Sequence, residues 1–293
     1  MTRLETAQML REHDNFIILT HRRPDGDTTG CAAGLCLGLR ALGKSAWVLR
    51  NRQLTPKLAP FAEGLLTDTC PEDATVISVD IASLGLFSFD AEALHLEERL
   101  CFAIDHHGSN DLSVPKLVEP DSAACGEIIL ELLELLGVRL TRQMAEALYL
   151  AISTDTGCFK YSNTTAHTHA AAATLIAAGE LLKLGVDISA MTRRLYRTQP
   201  MNRVKLTRIA YNKLRFMFDG QVGVIDFDKH DFVETGCTFG QADGLVNKAL
   251  EVEGVRMAVL ASERDDGIKM SLRAVEPDTV NDIAVLFGGG GHA

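Results

Sequence analysis

Asp105-His106-His107 follows the apolar run at residues 100–104 and precedes Gly108-Ser109-Asn110. A buried strand that ends in one carboxylate and two imidazoles sets three metal-competent groups at the carboxyl edge of a sheet, the rim where open α/β folds bind ligands. A neighbouring His pair is by itself more often a chance feature of a loop. Three further sites in the chain shift that balance. In His21-Arg22-Arg23-Pro24-Asp25-Gly26-Asp27-Thr28 one imidazole and two carboxylates fall within seven residues. Taken alone, Pro-Asp-Gly-Asp is also ordinary turn chemistry with a helix cap. The apolar run at residues 75–79 ends at Asp80, and a helical stretch at residues 142–153 runs into Thr154-Asp155-Thr156-Gly157. If these carboxylates converge in a poorly solvated pocket, their repulsion requires cations or raised pKa values. His21, Asp25, Asp27, Asp80, His106, His107 and Asp155 are an oxygen-rich set with some imidazole and no thiolate. That mix suits Mn²⁺ before zinc, with Mg²⁺ or Co²⁺ as alternatives, and is too large for one ion. A pair of ions about 3.5–4 Å apart can bridge a hydroxide and clamp the attacking and departing oxygens of a phosphate ester.

The elements that must position these groups are short apolar runs alternating with helical periodicity. Residues 15–20 and 45–50 read as strands, with a helix over 29–42 and a loop over 21–28. Helices are expected over 122–136, 142–153 and 164–178. On the last of these, His167 and His169 are two residues apart and face different sides, as surface or packing residues. This is a mostly parallel sheet flanked by helices. From Arg193 to Arg215 there are eight Lys or Arg and no Asp or Glu; such runs are most often solvated helix faces, and this one reads as a connector. Two β-hairpins follow, one turning at Asp219-Gly220 and one at Asp265-Asp266-Gly267, with a helix over 241–250 between them. The resulting division is a catalytic domain at 1–185, a helical connector at 186–213 and a smaller α/β domain at 214–293.

Composition narrows the function. The 293 residues suffice for two cores. A formal charge of −10 disfavours a grip on long nucleic acid, because each phosphate contact wants a cation, but leaves small metal-escorted anions open. Seven cysteines without a C-x-x-C pair suit buried thiols in a reducing compartment. No apolar run reaches the roughly 18 residues of a membrane span, and the N-terminus opens a polar helix instead of a signal peptide. A cytoplasmic protein with no membrane partner is expected; a homodimer is left open.

In order along the chain, His-x-x-x-Asp-x-Asp, the strand-terminal Asp80, Asp-His-His and Asp-Thr-Gly resemble the four motifs of the DHH phosphoesterases. The terminal Gly288-Gly289-Gly290-Gly291-His292 resembles the glycine-rich signature of the DHH-associated C-terminal domain. The resemblance covers essentially the whole chain. It implies that His21, Asp25, Asp80 and Asp155 surround one metal, and that Asp27, Asp80 and His106 serve a second, with Asp80 bridging. It also implies that His107 touches the scissile phosphate while Asp105 orients an imidazole, which makes His107, Asp105 and Asp80 the residues nearest the chemistry. In the family the C-terminal domain closes over the cleft, and Arg273, Gly289, Gly290, Gly291 and His292 match the positions implied to hold the rest of the substrate. An arginine fork binds phosphate, and glycines let backbone N–H groups approach an anion. Family members continue beyond this signature, so the C-terminal domain is expected to be incomplete here.

The expected activity is a two-metal phosphoesterase for short oligoribonucleotides and adenosine 3′,5′-bisphosphate, as in the nanoRNase branch. The runner-up is a phosphodiesterase for cyclic di-AMP or pApA, since one metal centre serves either and only the C-terminal pocket differs. A RecJ-like exonuclease would want further domains and an aromatic-studded basic groove. The glycine-His terminus argues against an inorganic pyrophosphatase. A silent nucleotide-binding regulator would lack metal ligands that are present here.

Overall fold

Strand, helix and strand again follow from apolar runs too short for helices, separated by segments of helical period. The computed structural model describes residues 1–177, 188–275 and 278–287. The chain divides into two units, Met1–Ile188 and Ser189–Ala293. The first contains α1 (Arg3–Glu12), β1 (Phe16–Leu19), α2 (Gly26–Ala41), β2 (Ala46–Leu49), β3 (Leu66–Thr67), β4 (Thr75–Val79), α3 (Phe89–Ala93), β5 (Leu100–Asp105), β6 (Lys116–Val118), α4 (Cys125–Leu135), α5 (Arg142–Asp155) and α6 (Ala166–Ala177). The six strands form one parallel sheet in the order β3-β2-β1-β4-β5-β6. The chain builds outward from β1 on one side, then returns to add β4, β5 and β6 on the other. That reversal opens a crevice beyond the carboxyl ends of β1 and β4, the ligand position of doubly wound sheets. All four residues of β1 are buried, because both faces of the sheet are covered. On one face Ile17, Leu19, Val76 and Ala103 pack with Phe87, Ala91 and Leu96. On the other lie α2 and α4, and α5 packs on α2.

The packing of α2 against α5 depends on glycine. A Cβ on Gly30 would lie 2.2 Å from the Ala147 carbonyl oxygen, and one on Gly26 would lie 2.2 Å from Thr154 Oγ1. Gly34 meets Leu148 of α5 in the same way, and Gly38 meets Leu133 of α4. Spaced four apart, these glycines form one stripe of the helix. The start of α2 meets the end of α5, so the helices run antiparallel and Asp155 arrives beside Asp27. The loop expected over 21–28 is shorter than its turn chemistry suggested. Gly26 already begins α2, and Asp25 is the N-cap, accepting from the amides of Asp27 (3.0 Å) and Thr28 (3.1 Å).

The second unit holds most of α7 (Ile188–Thr192), then α8 (Met201–Lys213), β7 (Arg215–Met217), β8 (Val222–Phe227), α9 (Lys229–Thr235), α10 (Asn247–Leu250), β9 (Met257–Arg264), β10 (Gly267–Ala274) and α11 (Asn281–Leu286). Both hairpins form, and β8 pairs with β9 in parallel to join them in the order β10-β9-β8-β7. The helix expected over 241–250 is replaced by a short 3₁₀ turn at Phe239–Ala242 and the single turn of α10. Gly244, with a left-handed φ of 79°, lies between them. Within the stretch expected as a connector, Leu206 and Ala210 of α8 pack in this unit's core with Ile225 and Phe232. Of the eight cations of the basic run, Arg203 donates to the Asp243 carbonyl (2.8 Å), Lys213 pairs with Asp231 (2.6 Å) and Arg215 with Asp226 (2.6 Å). Among the described residues no helix is long and apolar enough to cross a membrane.

Candidate metal centre

Each element of the crevice delivers its side chain by a local device. After β1, the His21 carbonyl accepts from Asn51 Nδ2 (2.9 Å), and Thr28 Oγ1 donates to the Val79 carbonyl (3.1 Å), tying this turn to the end of β4. Asp80 follows with a left-handed φ of 59°, a region an aspartate tolerates better than most side chains, and its amide donates to the Ile104 carbonyl (2.9 Å). After β5, Asp105 is fully buried. Its Oδ1 accepts from His107 Nδ1 (2.7 Å) and the His106 amide (2.8 Å), and its Oδ2 from Asn110 Nδ2 (2.7 Å). His106 Nδ1 lies 3.1 Å from the Ser122 carbonyl, which fixes Nδ1 as the protonated nitrogen and turns Nε2 toward the carboxylates. Asp27 is seated at the start of α4, whose own N-cap, Ala124, has no side-chain oxygen to offer. The amides of Cys125 (2.7 Å) and Gly126 (3.0 Å) donate to Asp27 Oδ2 and Oδ1, and the Cys31 thiol donates to Oδ1 at 3.1 Å.

The seven candidate ligands come together as three overlapping groups whose ligand atoms lie within 4.8 Å of one another: His21, Asp25 and Asp80; Asp27, His106 and Asp155; and Asp80, His106 and His107. The two oxygens of Asp80 face different groups. Oδ2 lies 3.7 Å from His21 Nε2, while Oδ1 lies 3.6 Å from His106 Nε2 and 3.4 Å from His107 Nδ1. The grouping of Asp155 differs in one respect from the implied one. Asp155 was implied beside His21 and Asp25, whereas its Oδ2 lies 3.6 Å from His106 Nε2, in the group with Asp27. The antiparallel crossing of α2 and α5 causes this, since it lands the end of α5 against the first turn of α2.

Electrostatics show why such a cluster wants cations. Asp80 Oδ1 is buried and accepts no hydrogen bond. Burial, then the charges of Asp27 and Asp25, hold the Asp80 carboxyl well above the usual carboxylate range. Burial first and the same kind of neighbours push Asp155 up to about 8, and burial also raises Asp27. Asp105 behaves oppositely: burial opposes its charge, but the bonds from His107 and Asn110 prevail and its carboxyl lies below the usual range. Burial alone would lower His107; the Asp105 contact outweighs it and raises the imidazole. A donorless buried oxygen, three carboxyls raised by burial and by one another's charge, and imidazole nitrogens interleaved with them fit divalent metal ions with a taste for oxygen and nitrogen.

Sequence reasoning overlooked the groups that aim the ligands. Asn110 carried a visible signal, lying five residues after Asp105 in the same loop. The Ser122 carbonyl and the α4 amides carry none, because backbone groups are common to every residue. The Cys31 thiol looked like core. Arg273 lies on β10, exposed, with Nη1 donating to the Leu272 carbonyl (2.8 Å). Gly288 to His292, and with them Gly289, Gly290 and Gly291, lie outside the described residues. His167 and His169 are surface and packing groups: His167 meets Glu131 at 3.0 Å and His169 stacks on Phe159.

Comparison with known proteins adds the following. Residues 15–152 match the family model described as DHH family, N-terminal domain, which takes in every candidate ligand except Asp155. The chain is similar to the bifunctional oligoribonuclease and PAP phosphatase NrnA of Thermus thermophilus, 31% identical over 98% of this chain and 84% of the relative. It is also similar to the cyclic-di-AMP phosphodiesterase GdpP of Geobacillus thermodenitrificans, 26% identical over 97% of this chain but 44% of the relative. The crystal structure of an exopolyphosphatase-related protein from Bacteroides fragilis superposes with a TM-score of 0.86, at 23% identity, covering 99% of this chain and 88% of that one.

Proposed function

The chain belongs to the DHH family, and from that premise we propose that it is a two-metal phosphoesterase acting on short oligoribonucleotides and adenosine 3′,5′-bisphosphate. The observation that carries this reading is Asp80, a buried carboxylate whose two oxygens face different ligand groups and whose Oδ1 has no hydrogen-bond donor. His21, Asp25 and Asp80 would hold one cation, and Asp27, His106 and Asp155 the other, with Asp80 giving an oxygen to each; Mn²⁺ suits the donor set best. When bound, such a pair supplies Lewis acidity, lowering the pKa of a water and neutralising phosphoryl oxygens. The chain's own residues orient and protonate. Asp105 accepts the hydrogen bond from His107 Nδ1–H and, staying charged, raises the imidazole's affinity for a second proton, so that Nε2–H can donate to a phosphate oxygen. Asn110 keeps Asp105 in place.

Support for the substrate class comes from the relatives. The one named as an oligoribonuclease and PAP phosphatase is more similar, and over more of its own length, than the one named as a cyclic-di-AMP phosphodiesterase. The test is a set of rates with Mn²⁺ on a ribonucleotide dimer, adenosine 3′,5′-bisphosphate, cyclic di-AMP, pApA and pyrophosphate. The first two should be the fastest. Preference for cyclic di-AMP or pApA would replace this reading with the phosphodiesterase one, and hydrolysis of pyrophosphate alone would remove both.

A further inference from the structure

Three consecutive residues just past the end of α5 adopt left-handed backbone, Gly157, Cys158 and Phe159, with φ of 56°, 61° and 62°. Only the glycine does so without strain, and strain of this kind persists where the surroundings impose it, often at functional sites. The surroundings here are specific. The Cys158 amide donates to the Ser153 carbonyl (2.7 Å), and those of Lys160 and Tyr161 donate to the Thr156 carbonyl (2.9 and 3.1 Å). Asn163 Nδ2 ties the loop to the Asp155 and Ala123 carbonyls (3.2 and 3.0 Å). As a result, two aromatic rings point apart. Phe159 is half-buried, stacked on His169 with centroids 5.5 Å apart and tilted against Tyr149. Tyr161 lies on the backbone of Gly157: its Cζ and both Cε atoms would be 2.3–2.6 Å from a Cβ there, yet the residue remains 52% exposed.

The Tyr161 ring is thus seated on Gly157, itself two residues of chain from Asp155, and is open to solvent on its other side. Two residues span at most about 7 Å, so a phosphate at the carboxylate cluster leaves the rest of a nucleotide within reach of the ring. Beside it, Lys160 is exposed and makes no ion pair among the described residues. The Tyr161 hydroxyl makes no hydrogen bond among them either, so the ring is not held there by its polar end. We propose that Tyr161 is the stacking platform for a nucleobase of the substrate, with Lys160 meeting a neighbouring phosphate. The choice of a nucleotide rests on the phosphoesterase reading; the platform itself rests on the ring's seat and its open face. Stacking on an aromatic face tolerates every base, which suits an enzyme for short RNA of any sequence.

The experiment compares adenosine 5′-monophosphate with ribose 5-phosphate, which has the phosphate and no base, by calorimetry on the full chain with Mn²⁺. Tyr161→Leu, which leaves an apolar group over Gly157, should weaken binding of the nucleotide by about 5- to 150-fold and leave ribose 5-phosphate unaffected. Tyr161→Phe should match the parent within about twofold. KM for adenosine 3′,5′-bisphosphate should rise with the leucine variant while kcat and Mn²⁺ affinity hold. Equal weakening of both ligands, or no change with the nucleotide, overturns the platform. In the parent, NMR ring signals assigned to Tyr161 through the Phe variant should move on adding the nucleotide and stay put with ribose 5-phosphate, a readout that survives poor folding of the leucine variant. Selective weakening in a chain that hydrolyses no phosphoester would keep the platform and end the hydrolase reading. Hydrolysis with no base-dependent difference would do the reverse.

Discussion

Replacing Gly30 by Ala should loosen the candidate metal centre without touching a candidate ligand. The added Cβ would sit 2.2 Å from the Ala147 carbonyl oxygen and 2.9 Å from the Ala151 Cβ, whereas ordinary contact begins at 3.4 Å. Both obstacles belong to rigid parts of α5, so relief requires that helix to move by about 1 Å, with Asp155 carried along at its end. Ligand distances tolerate only about 0.2 Å. The group of Asp27, His106 and Asp155 should therefore lose the most, and we expect Mn²⁺ affinity to fall by about 10- to 100-fold, the usual effect of disturbing what supports a ligand. Stability moves less. Overpacking costs about 1–3 kcal/mol and the better helix propensity of Ala returns about 1 kcal/mol, leaving a net loss of about 0–2 kcal/mol and a melting temperature lower by a few degrees. Calorimetric titration with Mn²⁺ and a thermal melt of the metal-free chain measure the two quantities. A variant that melts higher than the parent and binds Mn²⁺ as tightly would refute the idea that this seam sets the position of Asp155.

Other substitutions probe separate parts of the centre. Asp80→Asn should abolish hydrolysis yet raise the metal-free melting temperature, by the equivalent of about 1–3 kcal/mol, because it removes a crowded charge while an Asn keeps the left-handed backbone; retained turnover would exclude a bridging role for this residue. The pH dependence has a definite sign. Asp80, Asp155 and Asp27 have folded-state pKa values above their unfolded ones, so they favour the folded state below about pH 4 and destabilise it increasingly as pH rises toward 8, where Asp155 titrates. The raised His107 loses stabilisation in the same direction as pH climbs through its folded value. Melts of the metal-free chain from pH 5 to 8 should thus fall, while saturating Mn²⁺ should flatten the trend; parallel curves would contradict it. Asn110→Ala should lower kcat more than it weakens metal binding, since it releases Asp105 and through it His107, and a pH–rate profile shifted to lower pH would mark the weakened imidazole. Arg273→Ala should raise KM by about 10- to 100-fold with Mn²⁺ affinity unchanged; equal loss of both would remove it from substrate binding.

Most of the centre was legible because chemistry-bearing side chains sit where apolar runs stop, at Asp80, at Asp105-His106-His107 and just after β1 at His21. What escaped was tertiary. β3 and β6 have two and three residues at the sheet edges, too few for any period to show. Asp25 read equally well as a cap or as a ligand; it caps α2, and one of its oxygens also lies 3.5 Å from His21 Nε2. The partners of Asp155 depend on how two helices cross, which residue spacing does not encode. By helix propensity the glycines of α2 are weakening residues, and only their tertiary neighbours, Thr154, Ala147, Leu148 and Leu133, explain them.

The seating of Asp27 at the start of α4 ties assembly and reactivity together. Its two oxygens serve as the latch for a helix nearly a hundred residues away in the chain, so that socket is shaped by folding before any cation arrives. A substitution at Asp27 would unfasten α4 and delete a donor in one stroke, and lost turnover in such a variant would say as much about architecture as about chemistry.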